Sequence, residues 1–282
     1  MTYQSTIASK GFLSGVGLHT GEIVNLKLMP TKVDTGVIFK RSDIAADNLI
    51  EAKYFNVKNT KFCTEIANSH NVSVMTIEHL MAAIWSVGID NLIVEIDGPE
   101  IPAMDGSSRY FISLLRECGL EMQNRERRLL KILEKISIVD EDKSITLEGD
   151  DKFSVHFYIN FPHSCIGEQR IIYTEAQNFA LEIGSARTFG FVKDIEHMKN
   201  LGFAKGASLD NAIGLGKKGV VNCEPLRFKD EFVRHKVLDC IGDLYLSSHR
   251  IIGKITACKA GHSMNNRLLH EIFARPKSYR WL

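Results

Sequence analysis

Two halves of this 282-residue chain spell the same order of elements on either side of a charged run, Asn124-Arg-Glu-Arg-Arg128. In the first half, strand-like runs at 24–29 and 37–39 lead to a helix pattern over 73–87 and a strand pattern over 91–96. The turn-rich Gly98-Pro-Glu-Ile-Pro102 and Asp105-Gly-Ser107 follow, and then a helix pattern over 107–118. In the second half, strand-like runs at 144–147 and 153–159 lead to a helix pattern over 230–246 and a strand over 250–258. A Gly261-His262 turn and a helix capped by Ser263 and running to 274 complete the unit. Alternation of apolar residues marks the strands and their helical spacing marks the helices. Residue identity between the halves is too low for a sequence repeat, so the duplication rests on element order. The run at 124–128 has no apolar periodicity and is read as the boundary. The expected fold class is therefore α+β: two similar domains, each a sheet layered with helices, over 1–125 and 126–282.

The length suits two domains, each able to bury a core. Thirty-five Lys plus Arg against 34 Asp plus Glu leave a formal charge of +1, far from the basic excess of a nucleic-acid binder. No nucleic-acid partner is expected, and the chain is expected to be a monomer. The N-terminus, Met1-Thr-Tyr-Gln-Ser-Thr-Ile-Ala-Ser-Lys10, has neither the basic nor the apolar region of a secretory signal, which points to the cytoplasm. The most apolar stretch, 72–87, is interrupted by Glu78 and His79 and is too short to span a bilayer comfortably. Six cysteines stand far apart with no C-x-x-C pair and are read as reduced thiols. The sequon Asn71-Val-Ser73 has no consequence without secretion.

Charged groups inside apolar helices carry the chemistry. Glu78 and His79 are the only titratable residues in an otherwise apolar 72–87 segment. One reading turns one of them outward and leaves the other as a hydrogen-bonded core group. The 230–246 helix places His235, Asp239 and Asp243 at i, i+4 and i+8, hence on one face, among Val233, Val237, Leu238, Ile241 and Leu244. A carboxylate buried there costs several kcal/mol unless a cation or strong donors compensate it. A divalent metal held by His and Asp one turn apart meets that need, and so does an ordinary ion pair or capping network on a partly solvated face. Because the two helices correspond in the two halves, face-to-face packing would join His79 to His235 and Asp239 at the domain interface. Glu78 would then be placed as a general base and His262 as a proton donor, roles that spacing alone does not assign.

Two other motifs lead away from the site. Gly214-Leu-Gly-Lys-Lys-Gly219 spells a dinucleotide fingerprint but runs into Val-Val-Asn-Cys-Glu-Pro225, which opens no helix, so it is read as a loop or hairpin. The basic tail Arg275-Pro-Lys-Ser-Tyr-Arg-Trp-Leu282 is read as a solvated terminus rather than a lipid-binding segment.

Taken in order, Gly15-Val-Gly-Leu-His-Thr-Gly21, Thr76-Ile-Glu-His-Leu80, Glu100-Ile-Pro-Ala-Met-Asp-Gly-Ser107, Ala186-Arg-Thr-Phe-Gly190, Val233-Arg-His-Lys-Val-Leu-Asp239, Ile241-Gly-Asp-Leu244 and Gly261-His262 resemble a known signature set. It is that of the UDP-3-O-acyl-N-acetylglucosamine deacetylase family, the zinc amidases of lipid A biosynthesis in Gram-negative bacteria. The resemblance covers nearly the whole chain. It implies an active site between the two domains and one Zn2+ per chain, with Fe2+ an alternative for the same ligands. It further implies that His79, His235 and Asp239 are the metal ligands and Glu78 the general base. By the same resemblance, His262 would assist the tetrahedral intermediate and the departing amine, with Asp243 orienting it, Thr188 would help stabilise the oxyanion, and Lys236 would contact substrate.

For the UDP-linked acylated glucosamine, the resemblance places an apolar acyl passage in an insert near 189–203. Phe189, Phe191, Val192, Ile195, Met198 and Leu201 recur there with helix-like spacing, which plain amphipathic packing onto the core would also produce. Phe161 is matched to the ring that stacks on uracil, and Leu18, His19 and Thr20 to the pocket lining. Two rivals share these features: a non-catalytic nucleotide-sugar or lipid-binding protein with a structural metal, and a zinc amidase of other specificity. Only a catalyst requires the Glu78 and His262 pair.

Overall fold

Burial alternates along Ile23–Met29 and Leu92–Ile96, the mark of a sheet with one face in the core and the other in solvent. The computed structural model describes residues 3–282. Its helices are α1 (Glu78–Val87), α2 (Arg109–Glu117), α3 (Phe179–Glu182), α4 (Ile195–Asn200), α5 (Glu231–Leu244) and α6 (His262–Phe273). No helix among the described residues is long and apolar enough to cross a membrane.

The duplication read from element order is present strand for strand. The first five-stranded sheet runs Gly11–Val16, Ile23–Met29, Leu92–Ile96, Val37–Arg41, Leu49–Glu51. The second runs Ile136–Asp140, Lys143–Glu148, Lys254–Cys258, Ser154–Phe161, Gly167–Thr174. In both, the last strand enters the centre, antiparallel to the second strand and parallel to the third. The crossover to that central strand carries α1 in one half and α5 in the other. A small three-stranded sheet is inserted at the same point of each half, before α1 and before α5. The first is Val57–Asn59, Glu65–Ala67 and Ser73–Val74; the second is Phe189–Phe191, Ile213–Gly216 and Gly219–Val220.

Helix α2 lies on the first sheet, α5 and α6 lie on the second, and α1 packs along α5 in the middle. Both middle helices are buried around almost their whole circumference. They meet tightly at Gly242, where a Cβ would stand 2.0 Å from the Glu78 carbonyl oxygen. A glycine is needed there for the first turn of α1 to meet α5.

Several boundaries depart from the sequence reading. The helix expected over 73–87 begins only at Glu78, because Ser73 and Val74 pair with Ala67 and Ile66 and Met75 bridges to Glu100. Thr76 then adopts φ 59°, a left-handed value that interrupts any helix. The strand expected over 250–258 is two strands. Arg250–Ile252 joins Leu129–Ile132 and Tyr279–Trp281, and the chain crosses at Gly253, whose carbonyl accepts the Ser154 N–H, into the second large sheet. The expected Ser263 cap is not used: extended Gly261 is the N-cap, without a side-chain bond, and His262 opens α6.

The charged run at 124–128 is not all connection. Leu120–Glu126 pairs with Tyr3–Ile7, and its exposure along both faces explains why no apolar period announced it. The helix-like spacing over 189–201 resolves into a strand at Phe189–Phe191, parallel to Ile213–Gly216, followed by helical turns through α4. The Gly214–Gly219 motif is a hairpin, as read. All six cysteines are free.

Candidate active site

Helices α1 and α5 meet where each carries polar groups in an apolar surface. His79 on α1 and His235 and Asp239 on α5 present ligand atoms that all lie within 4.8 Å of one another, and all three residues are buried. Asp239 Oδ1 is 3.3 Å from His235 Nε2 and 3.6 Å from His79 Nε2. His235 Nδ1 donates to the Ala186 carbonyl at 3.1 Å, which fixes the tautomer and leaves a lone pair on Nε2. Burial, only partly opposed by Asp239, pulls the His235 pKa down to about 3 and keeps the ring neutral.

Asp239 divides its two oxygens between different tasks. Oδ2 accepts from Lys236 Nζ at 2.7 Å, whereas Oδ1 is buried with no hydrogen-bond partner. Burial would raise this carboxyl, but His235, Lys236 and His79 beside it hold it well below the usual range. Burial likewise opposes the Lys236 charge, and Asp239 outweighs it to keep the ammonium. An ionised oxygen without a hydrogen-bond donor, buried beside two imidazoles, is a costly arrangement that a divalent cation resolves. Two nitrogens and one oxygen are the donor set of a catalytic site with a position left for substrate or water.

A second network lies beside the first. Glu78 Oε2 accepts the Thr64 N–H at 3.0 Å, and Oε1 lies 4.0 Å from His262 Nε2. His262 Nδ1 donates to Asp243 Oδ2 at 2.8 Å, and Asn265 Nδ2 donates to the same oxygen at 2.8 Å. The Thr64 hydroxyl donates to Asp243 Oδ1 at 2.6 Å. Burial raises the Glu78 carboxyl, against the pull of His262 and His79. Burial would lower His262, but Asp243 and Glu78 outweigh it and raise the ring to about 9. One group thus accepts a proton while its neighbour holds one, the requirement of an acid–base pair.

The remaining sequence-predicted residues fall into three places. Thr188 is fixed by its N–H to the Gly106 carbonyl and by its own carbonyl to the Ile213 N–H, both at 2.8 Å. Gly106 has φ 80°, and a Cβ there would stand 2.2 Å from the Asn211 carbonyl oxygen. The loop with Leu18, His19 and Thr20 is pinned on buried Glu100, which accepts the backbone N–H of His19 and of Thr20 and the hydroxyls of Thr20 and Thr76. His19 is buried, with Nδ1 accepting the Ala204 N–H and Nε2 unpartnered. Phe161 and Phe191 line one groove of about 500 Å³ with Val192 and Leu215. Phe189 stands edge-on between Phe161, 5.7 Å away, and His235, 6.4 Å away, and so links groove and ligands. Ile195 and Met198 sit half-buried on α4 and do not line that groove.

Thr64, Asn265 and Glu100 were given no role by the sequence reading. Asn265 carried a usable signal, since it lies one helical turn beyond His262. Thr64 carried none, because its side-chain partner is 179 positions away.

A buried His-His-Asp donor set, with a buried glutamate and a carboxylate-bonded histidine beside it between two sheet-and-helix layers, is the arrangement of a metal-dependent hydrolase. The family model of UDP-3-O-acyl N-acetylglycosamine deacetylase (LpxC) matches residues 4–274. The chain is 43% identical to the UDP-3-O-acyl-N-acetylglucosamine deacetylase of Geobacter sp. (strain M21) over 280 residues, 99% of this chain and 92% of that one. It is 44% identical to the Pseudoalteromonas translucida (strain TAC 125) protein of the same name over 284 residues, 100% of this chain and 94% of that one. Against that of Pasteurella multocida (strain Pm70) it is 43% identical over 285 residues, 100% of this chain and 93% of that one. The chain belongs to the UDP-3-O-acyl-N-acetylglucosamine deacetylase family.

Proposed function

We propose that this protein hydrolyses the N-acetyl group of a UDP-3-O-acyl-N-acetylglucosamine, releasing acetate and the free amine in lipid A biosynthesis. The observation that carries the reading is the unpartnered, buried Asp239 Oδ1 beside two imidazoles, with Glu78 and His262 next to it. His79, His235 and Asp239 would hold one Zn2+, with Fe2+ able to replace it. The ion supplies Lewis acidity toward the acetyl carbonyl and the attacking water. Glu78 takes the proton of that water, and the Thr188 hydroxyl donates to the oxygen of the developing tetrahedral carbon. His262, steadied by Asp243, stabilises the developing charge and gives its proton to the leaving nitrogen as the C–N bond breaks. Lys236 keeps Asp239 ionised and reaches toward the sugar nucleotide.

The test is metal analysis of the purified protein joined to an assay of acetate release from the UDP-sugar. Bound metal without acetate release would favour a binding protein, and release from unrelated amides a different amidase. The same proposal divides the chain at 125/126 and makes it a cytoplasmic monomer without a nucleic-acid partner.

Two predictions arise from this geometry. His262 must be protonated to serve the leaving amine, and its pKa is raised to about 9. The value of kcat/KM should therefore decline as pH rises through about 9, and His262→Ala should abolish that limb while retaining the metal. A limb that survives the substitution removes His262 from proton transfer.

The groove of Phe161, Phe191, Val192 and Leu215 is assigned to the apolar acyl chain, with Phe161 at its edge for the uracil ring, beside the pocket lined by Leu18, His19 and Thr20. Phe191→Glu should depress kcat/KM for a long-chain substrate, each buried methylene contributing about 0.8 kcal/mol, and spare a short-acyl analogue. Equal losses for both substrates with a lowered Tm would mean that Phe191 only packs. Ile195 and Met198 on α4, with Phe189, would extend the passage beyond the groove.

A further inference from the structure

We propose that Thr64 is the positioning residue that locks the base and the proton donor into one geometry across the α1–α5 crossing. The inference rests on the reading of Glu78 and His262 as those two groups. Thr64 is 1% exposed and sits at the entry to the Glu65–Ala67 strand of the first inserted sheet. Its backbone N–H bonds Glu78 on α1, and its hydroxyl bonds Asp243 on α5. A carboxylate only accepts, so the single hydroxyl proton is committed to Asp243 Oδ1. With Oδ1 occupied, Oδ2 is left to His262 Nδ1 and Asn265 Nδ2. The rotation of the Asp243 carboxylate, and with it the direction of the His262 ring, is set by a residue whose side-chain bond goes to the carboxylate and not to the ring.

The hydroxyl can be removed without disturbing the other bond. The N–H to Glu78 survives every substitution at this position except proline, so Thr64→Val isolates the hydroxyl. Loss of a hydrogen bond to a buried charged group should lower kcat by about tenfold or more. KM and metal content should hold, and Thr64→Ser should restore turnover. Around His262 the charged and titratable groups are Asp243 and Asp239 from α5, Glu78 from α1 and His19 from the loop after Gly11–Val16. Of these, the change reaches Asp243 directly.

The decisive experiment follows the His262 imidazole by NMR titration in wild type, Thr64→Val and Thr64→Ser, beside kcat for each. A midpoint displaced from wild type in Thr64→Val, and returned to the wild-type value by serine, is expected. In an Asp243→Asn background, Thr64→Val should add no further loss of kcat. Thr64→Ala is carried in parallel so that a folding defect of the valine protein does not remove the test. An unchanged midpoint, a serine variant as impaired as valine, or additive losses with Asp243→Asn would overturn the proposal. A wild-type protein that releases no acetate would overturn the functional reading instead, and the midpoints would still decide the role of Thr64.

Discussion

His79→Ala and His235→Ala should each leave the protein with almost no tightly held divalent ion and almost no turnover, while wild type carries about one ion per chain. The geometry gives the reason. With either imidazole gone, the remaining nitrogen and Asp239 Oδ1 offer two ligand atoms where three lay within 4.8 Å. Asp239 keeps its Lys236 partner at 2.7 Å, so the helix pair should still assemble and Tm of the metal-free forms should stay comparable. Loss of the Lewis acid forfeits several kcal/mol of transition-state stabilisation, or about three decades of rate. Elemental analysis and acetate release, measured on the same samples and on wild type stripped by a chelator, decide the matter. Full turnover in an exhaustively metal-free wild type would defeat the assignment of all three ligands. Recovery after adding back zinc or iron separates loss of the ion from damage to the fold.

How much of this the sequence makes legible follows from where each interaction sits along the chain. The i, i+4, i+8 face of α5 was readable because His235, Asp239 and Asp243 are neighbours on one helix, and carboxylates among Val237, Leu238 and Ile241 demand a partner. That α1 would bring His79 to His235 and Asp239 was readable from the duplicated element order, which the two large sheets reproduce in strand order and direction. The start of α1 was hidden because pairing of Ser73 and Val74 with the 65–67 strand prevails over the apolar helical pattern. The insert after Thr188 misled for a related reason: parallel pairing of Phe189–Phe191 with Ile213–Gly216 draws the first apolar residues into a strand. Thr64 was out of reach altogether. Its meaning comes from two carboxylates on different helices, and no local period records such a contact. Both inserted sheets begin a strand directly after a site threonine, Thr64 in one half and Thr188 in the other.

Glu78→Gln should lower kcat by about two decades or more with the ion still bound. The amide oxygen can keep accepting the Thr64 N–H that now meets Glu78 Oε2 at 3.0 Å, so the first turn of α1 has no cause to move. What disappears is a group able to take a proton, together with a negative charge 4.0 Å from His262 Nε2. That second loss makes a prediction of definite sign. His262 is raised to about 9 against the effect of burial, by Asp243 first and by Glu78 after it. Removing the Glu78 charge must lower the ring's pKa, so the alkaline limb of the residual activity should lie at lower pH than in wild type. Asp243→Asn should move the limb in the same direction, and further, because it also removes the acceptor 2.8 Å from Nδ1. Metal analysis with pH–rate profiles for both variants tests the pair of claims together. Should Glu78→Gln empty the metal site, Glu78 is a ligand; should kcat fall with the alkaline limb unmoved, the base and the proton donor are not coupled through space as their 4.0 Å separation requires.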